Sequence, residues 1–212
     1  MARLRNKKAQ ALRFFTNGKR ADNAFGLSAI VGQIVKRTDQ ATKRAVATTA
    51  RRLEPLAKRE VTAAYNIPAT KLQGKFSVTT TGDSIRLFAS ERRIPVIQFG
   101  GRWGGTSTPG ATAQIERGGP QQVFAGAFIS TVKGLQSIRE RRIRGGKRAP
   151  RGPLIIIRGP SPRDMVLGIR KDQRGNVLNT ISEPPRAAIL RELQGIYITE
   201  LQRQIALGVR GG

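Results

Sequence analysis

Apolar residues at Leu27, Ile30, Val31, Ile34, Val35, Ala41, Ala45, Val46, Leu53 and Leu56 fall mostly three or four apart, the spacing that lines one face of a helix. Lys36, Arg37, Lys43, Arg44, Arg51 and Arg52 lie between them and make the exposed side basic. Pro55 lacks the backbone donor of an interior helical position, so it kinks this helix or opens a second one through 61–65. Pro68 stops it. The same spacing returns at Ile189, Leu190, Leu193, Ile196, Tyr197, Leu201 and Ile205, after Ser182-Glu183-Pro184-Pro185, where a capping residue precedes prolines suited to a helix start. Long amphipathic helices are thus expected near both ends.

Between them the period changes to two. Residues 75–81 and 85–89 alternate around Gly82-Asp83, a hairpin pattern. Residues 94–99 suggest a third strand, with Pro95 at its edge or start. Residues 122–130 read as a buried strand, and 154–157 as a short apolar strand between Pro153 and Gly159-Pro160. Residues 100–122 are glycine-rich and read as one long loop, of a length that signals function or assembly. Residues 172–183 read as a polar loop. Helix, strands, helix is an α+β order: two long helices packed on a small, mostly antiparallel sheet. The expected division is a basic arm at 1–24, a single domain at 25–207 and a tail at 208–212. Within the arm, 9–15 could form one or two helical turns with Leu12 and Phe15 on one side.

Composition changes the picture by exclusion. The 212 residues contain no Cys and no His, which removes disulfides, Cys/His zinc sites, cysteine nucleophiles and Ser-His-Asp triads. About a quarter of the chain is Leu, Ile, Val or Phe, above the ~20% below which highly charged chains stay disordered. No run approaches the ~20 apolar residues of a bilayer span, and no signal-peptide pattern follows the basic start. A protein without membrane contact is expected. The glycine-rich stretches lack the lysine and spacing of a phosphate loop. Carboxylates are scattered without a pair or cluster, so no enzyme, metal or cofactor is expected.

Charge supplies the positive indication. Lys and Arg number 39 against 13 Asp and Glu, a net +26, whereas a merely solubilising surface mixes both signs. Such an excess attracts polyanions or acidic neighbours. It is concentrated in the arm, with Arg3, Arg5, Lys7 and Lys8, and in 133–151, with Arg139, Arg141, Arg142, Arg144, Lys147 and Arg148. These ten are the candidate contacts to DNA or to an acidic partner. Arg-Gly-Gly steps at 117, 144 and 210 are single and separated, which fits solvated turns better than an RNA-binding tail.

The run Ala125-Gly126-Ala127-Phe128-Ile129-Ser130, the basic Arg141-Arg142, and Gly152-Pro153-Leu154-Ile155-Ile156-Ile157-Arg158-Gly159-Pro160-Ser161-Pro162 with Met165 together resemble the minor tail protein Z family of tailed phages. Thr48-Thr49-Ala50-Arg51, Tyr65-Asn66-Ile67-Pro68 and Ile94-Pro95-Val96-Ile97 with Phe99 follow that family's order upstream. The resemblance implies a virion structural protein of the tail and neck region that completes the tail and joins it to the head. It would be assembled in the host cytoplasm as a homo-oligomeric ring, sixfold by analogy with tails, beside a tail terminator, a connector and packaged double-stranded DNA. In such a ring the loop residues Arg102, Trp103, Gly104 and Gly105 would contact neighbouring subunits. The alternative is a free nucleic-acid-binding protein of the nucleoid or ribosome.

Overall fold

The computed structural model describes residues 14–16, 19–21, 24–82, 84–105, 110–141, 143–144, 147–148, 154–172 and 174–210; side-chain surroundings are described within 32–207 of these, apart from 143–144 and 147–148. The fold is α+β. In chain order it comprises β1 (Phe14–Thr16), β2 (Lys19–Ala21), α1 (Ala24–Ala64), β3 (Phe76–Thr81), β4 (Ser84–Ala89), β5 (Arg102–Trp103), β6 (Gly110–Ala113), β7 (Gln122–Ala125), β8 (Phe128–Val132) and β9 (Leu135–Arg141). It continues with β10 (Ile143–Arg144), β11 (Lys147–Arg148), β12 (Leu154–Ile156), α2 (Pro162–Leu167), β13 (Ile169–Lys171), β14 (Val177–Thr180) and α3 (Pro185–Arg210). The strand pairings among the described residues are all antiparallel: the hairpins β1-β2, β3-β4, β10-β11 and β13-β14, and the three-stranded sheets β5-β6-β7 and β12-β9-β8. Several small sheets stand where the sequence suggests one.

The first helical pattern becomes one continuous helix of 41 residues that runs through Pro55. Arg51, Arg52 and Pro55 are exposed, so water can take up the carbonyl that proline leaves without a donor. Helix α3 runs back along α1. Arg59 pairs with Glu192 near the start of α3, and Glu200, two turns further on, feels the charge of Arg52, two turns earlier. Counting equal residues from that Arg59–Glu192 contact brings the end of α3 level with Ala41. Burial on α1 begins at Ala41, and residues 32–40 are all exposed.

Three clusters form the core. Leu53, Leu56 and Ala57 of α1 meet Ile189 of α3, with Val78, Ile85, Leu193 and Ile196 around them. Val61 and Tyr65 join Leu72, Phe76, Phe99 and Met165 beneath the β3-β4 hairpin. Val96, Ala111, Ala113, Ala127, Ile138 and Ile157 close the interior between the two three-stranded sheets.

Several local expectations are corrected. Residues 94–99 form no strand. Val96 and Phe99, both buried and three apart, lie on a 3₁₀ turn (Val96–Phe99), whose three-residue period aligns them. Residues 100–122 are not one loop, because they contain β5 and β6; the small residues of Gly110–Ala113 let β6 lie buried between β5 and β7. The expected strand at 122–130 breaks at Gly126, where φ is +68°, into β7 and β8 of different sheets, and Val123 is exposed. Within the basic block at 133–151, β9 buries Ile138 completely. The polar loop at 172–183 contains β14, paired to β13 across an irregularity at Arg170/Lys171. In the arm, Phe14–Thr16 is a strand and not part of a helical turn, as aromatic and β-branched residues favour. The rest of that proposed turn lies outside the described residues. Helix α3 extends through Arg210, into the expected tail.

Two glycines give opposite expectations. Gly168 ends α2 at φ +66°, and an added Cβ would meet Ile181 Cγ1 at 2.5 Å and Pro184 Cβ at 2.8 Å. Gly168→Ala should lower stability by about 2 kcal/mol, read as an earlier urea midpoint. Gly195, exposed within α3 with nothing within 4 Å of such a Cβ, should give about 1 kcal/mol of added stability as Ala.

Candidate partner and polyanion interface

Seven of the thirteen carboxylates form ion pairs within the described chain, with Lys58, Arg59, Arg163, Arg170, Lys171 and Arg203 as their cationic partners. Even one-to-one pairing of every acid would leave 26 of the 39 cations in excess. Positive charge therefore faces outward over much of the surface. Lys36, Lys43 and Arg51 recur at intervals of seven and eight residues along α1 and form no ion pair among the described residues. At 3.6 residues per turn they share one face over about 22 Å.

The sequence-derived candidates divide. Arg3, Arg5, Lys7, Lys8 and Arg142 lie outside the described residues. Arg144 and Lys147 face each other in the register of β10-β11, with Arg148 opposite Ile143. Arg139 is half-buried on β9 and donates from Nε to Ser137 Oγ at 2.8 Å, so it belongs partly to the sheet. Arg141 is exposed at the end of the same strand, opposite Leu154.

The proposed subunit-contact loop is corrected in form. Arg102 and Trp103 lie on β5, an edge strand paired through Thr112 and Ala111 of β6. Gly104 N donates to Gly110 O at 2.8 Å and Gly105 has φ +81°. Pairing with small, buried β6 residues holds this edge in place, and Trp103 remains 54% exposed upon it.

Sequence reasoning missed other exposed apolar points. At the tip between β8 and β9, Lys133 and Gly134 have φ +51° and +73°, the two positive values of a type I′ turn, flanked by exposed Val132 and Leu135. The Val-Lys-Gly-Leu order is the signal that could have marked it. On α1, Ile34 and Val35 are exposed beyond the reach of α3 although they continue the apolar spacing of the buried segment.

Below these surfaces the segment 158–165 is held firmly. Ser161 and Asp164 form a reciprocal cap at the start of α2: Asp164 N donates to Ser161 Oγ at 3.1 Å, and Ser161 Oγ donates to Asp164 Oδ2 at 2.7 Å. Lys171 Nζ lies 2.7 Å from Oδ1. Burial pushes the Asp164 carboxyl up, but the Lys171 and Ser161 hydrogen bonds outweigh it and hold it below its ordinary value. Among the described residues, no three carboxylates gather as a metal site, and no helix is long and apolar enough to cross a membrane.

No family model, curated protein or solved structure matches the chain. Functional inference therefore starts from the surfaces described above.

The Asp164 arrangement has a pH consequence. A carboxyl lowered on folding contributes stability that is present above its unfolded value and lost as pH falls through its folded value. Asp164→Asn should cost about 2 kcal/mol at neutral pH and flatten the acid limb below the ordinary carboxylate range, measured by urea unfolding across pH.

Proposed function

We propose that this chain is a structural protein of a tailed-phage virion that completes the tail and joins it to the head, acting as one subunit of a ring beside DNA or acidic neighbours. The observation that carries the reading is a net charge of +26 combined with the exposure of residues 32–40 of α1, including the apolar positions Ile34 and Val35, outside the core. Both features suit a protein whose contacts are completed by other molecules. The resemblance of 125–165 to the minor tail protein Z family supplies the class of particle. Ring geometry follows from the need to repeat one heterologous contact about a tail axis until it closes. In this reading Trp103, the Val132–Leu135 tip and the projecting start of α1 meet protein neighbours, while the basic stripe of α1 meets phosphates or carboxylates.

Mass spectrometry of purified particles of the encoding phage should find the chain in stoichiometric amount, and cryo-electron microscopy should show it as a ring at the head–tail junction. Absence from purified particles would overturn the proposal.

The second reading, a free nucleic-acid-binding protein, is favoured by the Lys36, Lys43 and Arg51 stripe. Phosphate contacts release counterions, so affinity falls with salt in proportion to their number. Replacing all three by Ser should lower the log–log salt slope of duplex DNA binding by roughly 2 to 3, measured by fluorescence anisotropy. An unchanged slope would remove this stripe from DNA contact.

A further inference from the structure

Tyr65 just beyond α1, the turn after β6, the segment 158–160 and the β13-β14 hairpin converge on one cavity of about 340 Å³, within the usual size range of small-ligand sites. The convergence is built by backbone bonds. Asn66 N donates to Ile115 O, Arg117 N to Ala64 O and Gly159 N to Ile94 O. Tyr65 is part of the lining and is 2% exposed, and its hydroxyl has no hydrogen-bond partner among the described residues. An unpaired buried hydroxyl costs about 1–3 kcal/mol, while the ring alone would provide the packing. Burial, reinforced by Glu116, raises this phenol to about 12. It therefore keeps its proton at neutral pH and can donate to an acceptor.

The rest of the lining defines the acceptor. Arg93, Arg158, Arg170 and Lys171 share the lining with two carboxylates, Glu116 and Asp172, and Lys171 also pairs with Asp164 behind it. Arg93 is braced by the carbonyls of Gly159 and Arg158, and Arg158 donates to the carbonyl of Arg93. Arg170 is gripped by both oxygens of Glu116. The balance is positive and rigidly held, within a strongly cationic protein. Between the charges lie Ile115, Pro160, Ile169 and Leu178, which suit an apolar body and not a hydrated inorganic ion.

We infer that this cavity binds a carboxylate carried on an apolar body, with the Tyr65 hydroxyl donating to it and the aliphatic wall covering its tail. That chemistry is shared by a free organic acid and by the terminal carboxylate of a neighbouring chain. The inference does not depend on the virion reading.

Amide proton–nitrogen NMR of the intact protein, titrated with hexanoate, tests it. Hexanoate should give saturable shifts at residues 115–116, 158–159 and 169–171. Hexanamide, with the tail but no charge, and acetate, with the charge but no tail, should each bind at least about tenfold more weakly, a difference of about 1.4 kcal/mol. Equal binding of either control, or hexanoate shifts confined to other parts of the molecule, would overturn the inference. Tyr65→Phe keeps the ring and removes the unpaired oxygen; it should retain the fold and weaken hexanoate by about tenfold, and unchanged affinity would overturn the assigned donor and the inference. Leu178 is largely exposed, so Leu178→Asp should fold normally and repel hexanoate while Leu178→Asn binds it; equal affinity of the two would also overturn the site. Acetyl-Leu-Leu with a free carboxylate, compared with its amide, separates the sources. Tighter binding than hexanoate supports a chain terminus, and weaker binding supports a free acid.

Discussion

Residues 41–64 of α1, with Tyr65 just beyond them, are the surface on which the modules of this protein converge. Antiparallel α3 covers one side through Leu53, Leu56 and Ile189, while the β3-β4 hairpin reaches the same face through Val78 and Ile85. One turn further on, Val61 and Tyr65 carry the contact into the cluster that holds Phe99 and Met165. Burial of each large apolar side chain contributes about 1.5–3 kcal/mol, so this segment is the central source of cohesion for sheets too small to stand alone. A two-stranded hairpin is marginal in water without such support. Residues 32–40 of α1 are exposed and lie outside that core.

The same economy governs charge. With 13 acids, the chain uses four of its eleven described carboxylates to join separate elements: Glu192 to Arg59 across the helix pair, Glu116 to Arg170 across the cavity, Glu91 to Arg163 between the β4 exit and α2, and Asp164 to Lys171 between α2 and β13. Exposed pairs of this kind contribute little each, but they commit the negative charge locally and leave the basic stripe of α1 without carboxylate partners of its own. Outward positive potential is thus a consequence of how few acids there are and where they are used.

Both long helices are legible in the chain because their apolar residues keep a 3.6-residue period over many turns. The β3-β4 hairpin is legible because alternation and Gly82 agree. What escapes is small or charged. Gly110–Ala113 is a central strand without one large apolar residue, and β9 hides Ile138 among arginines, so pattern reading assigns both to loop or basic block. Val96 and Phe99, three apart, would point to opposite faces of a strand; they share one buried side because 96–99 turns as a 3₁₀ helix that ends at the positive φ of Gly100. The surface candidates in 139–148 are legible as charge but not as register, since the pairing of Arg144 with Lys147 is set only by how β10 and β11 align. The cavity is not legible at all. Its walls come from segments far apart in the chain, and only the fold brings Tyr65 beside Arg170.

That convergence also explains why the segment from 158 to 165 has the residues it does. Gly159 lies so close to Phe99 that an added Cβ would sit 2.8 Å from Cε2, so glycine lets the chain cross over the core. Ser161 and Asp164 then start α2 at once, and Lys171 ties the carboxylate back to β13. The turn, the cap and the ion pair fix the cavity wall from behind, with Arg158 and Pro160 on the side that faces the space. The strand expected at 154–157 is β12, and the residues that follow it, 158–165, form a wall whose small residues permit close packing and whose charged residues define the chemistry in front of it.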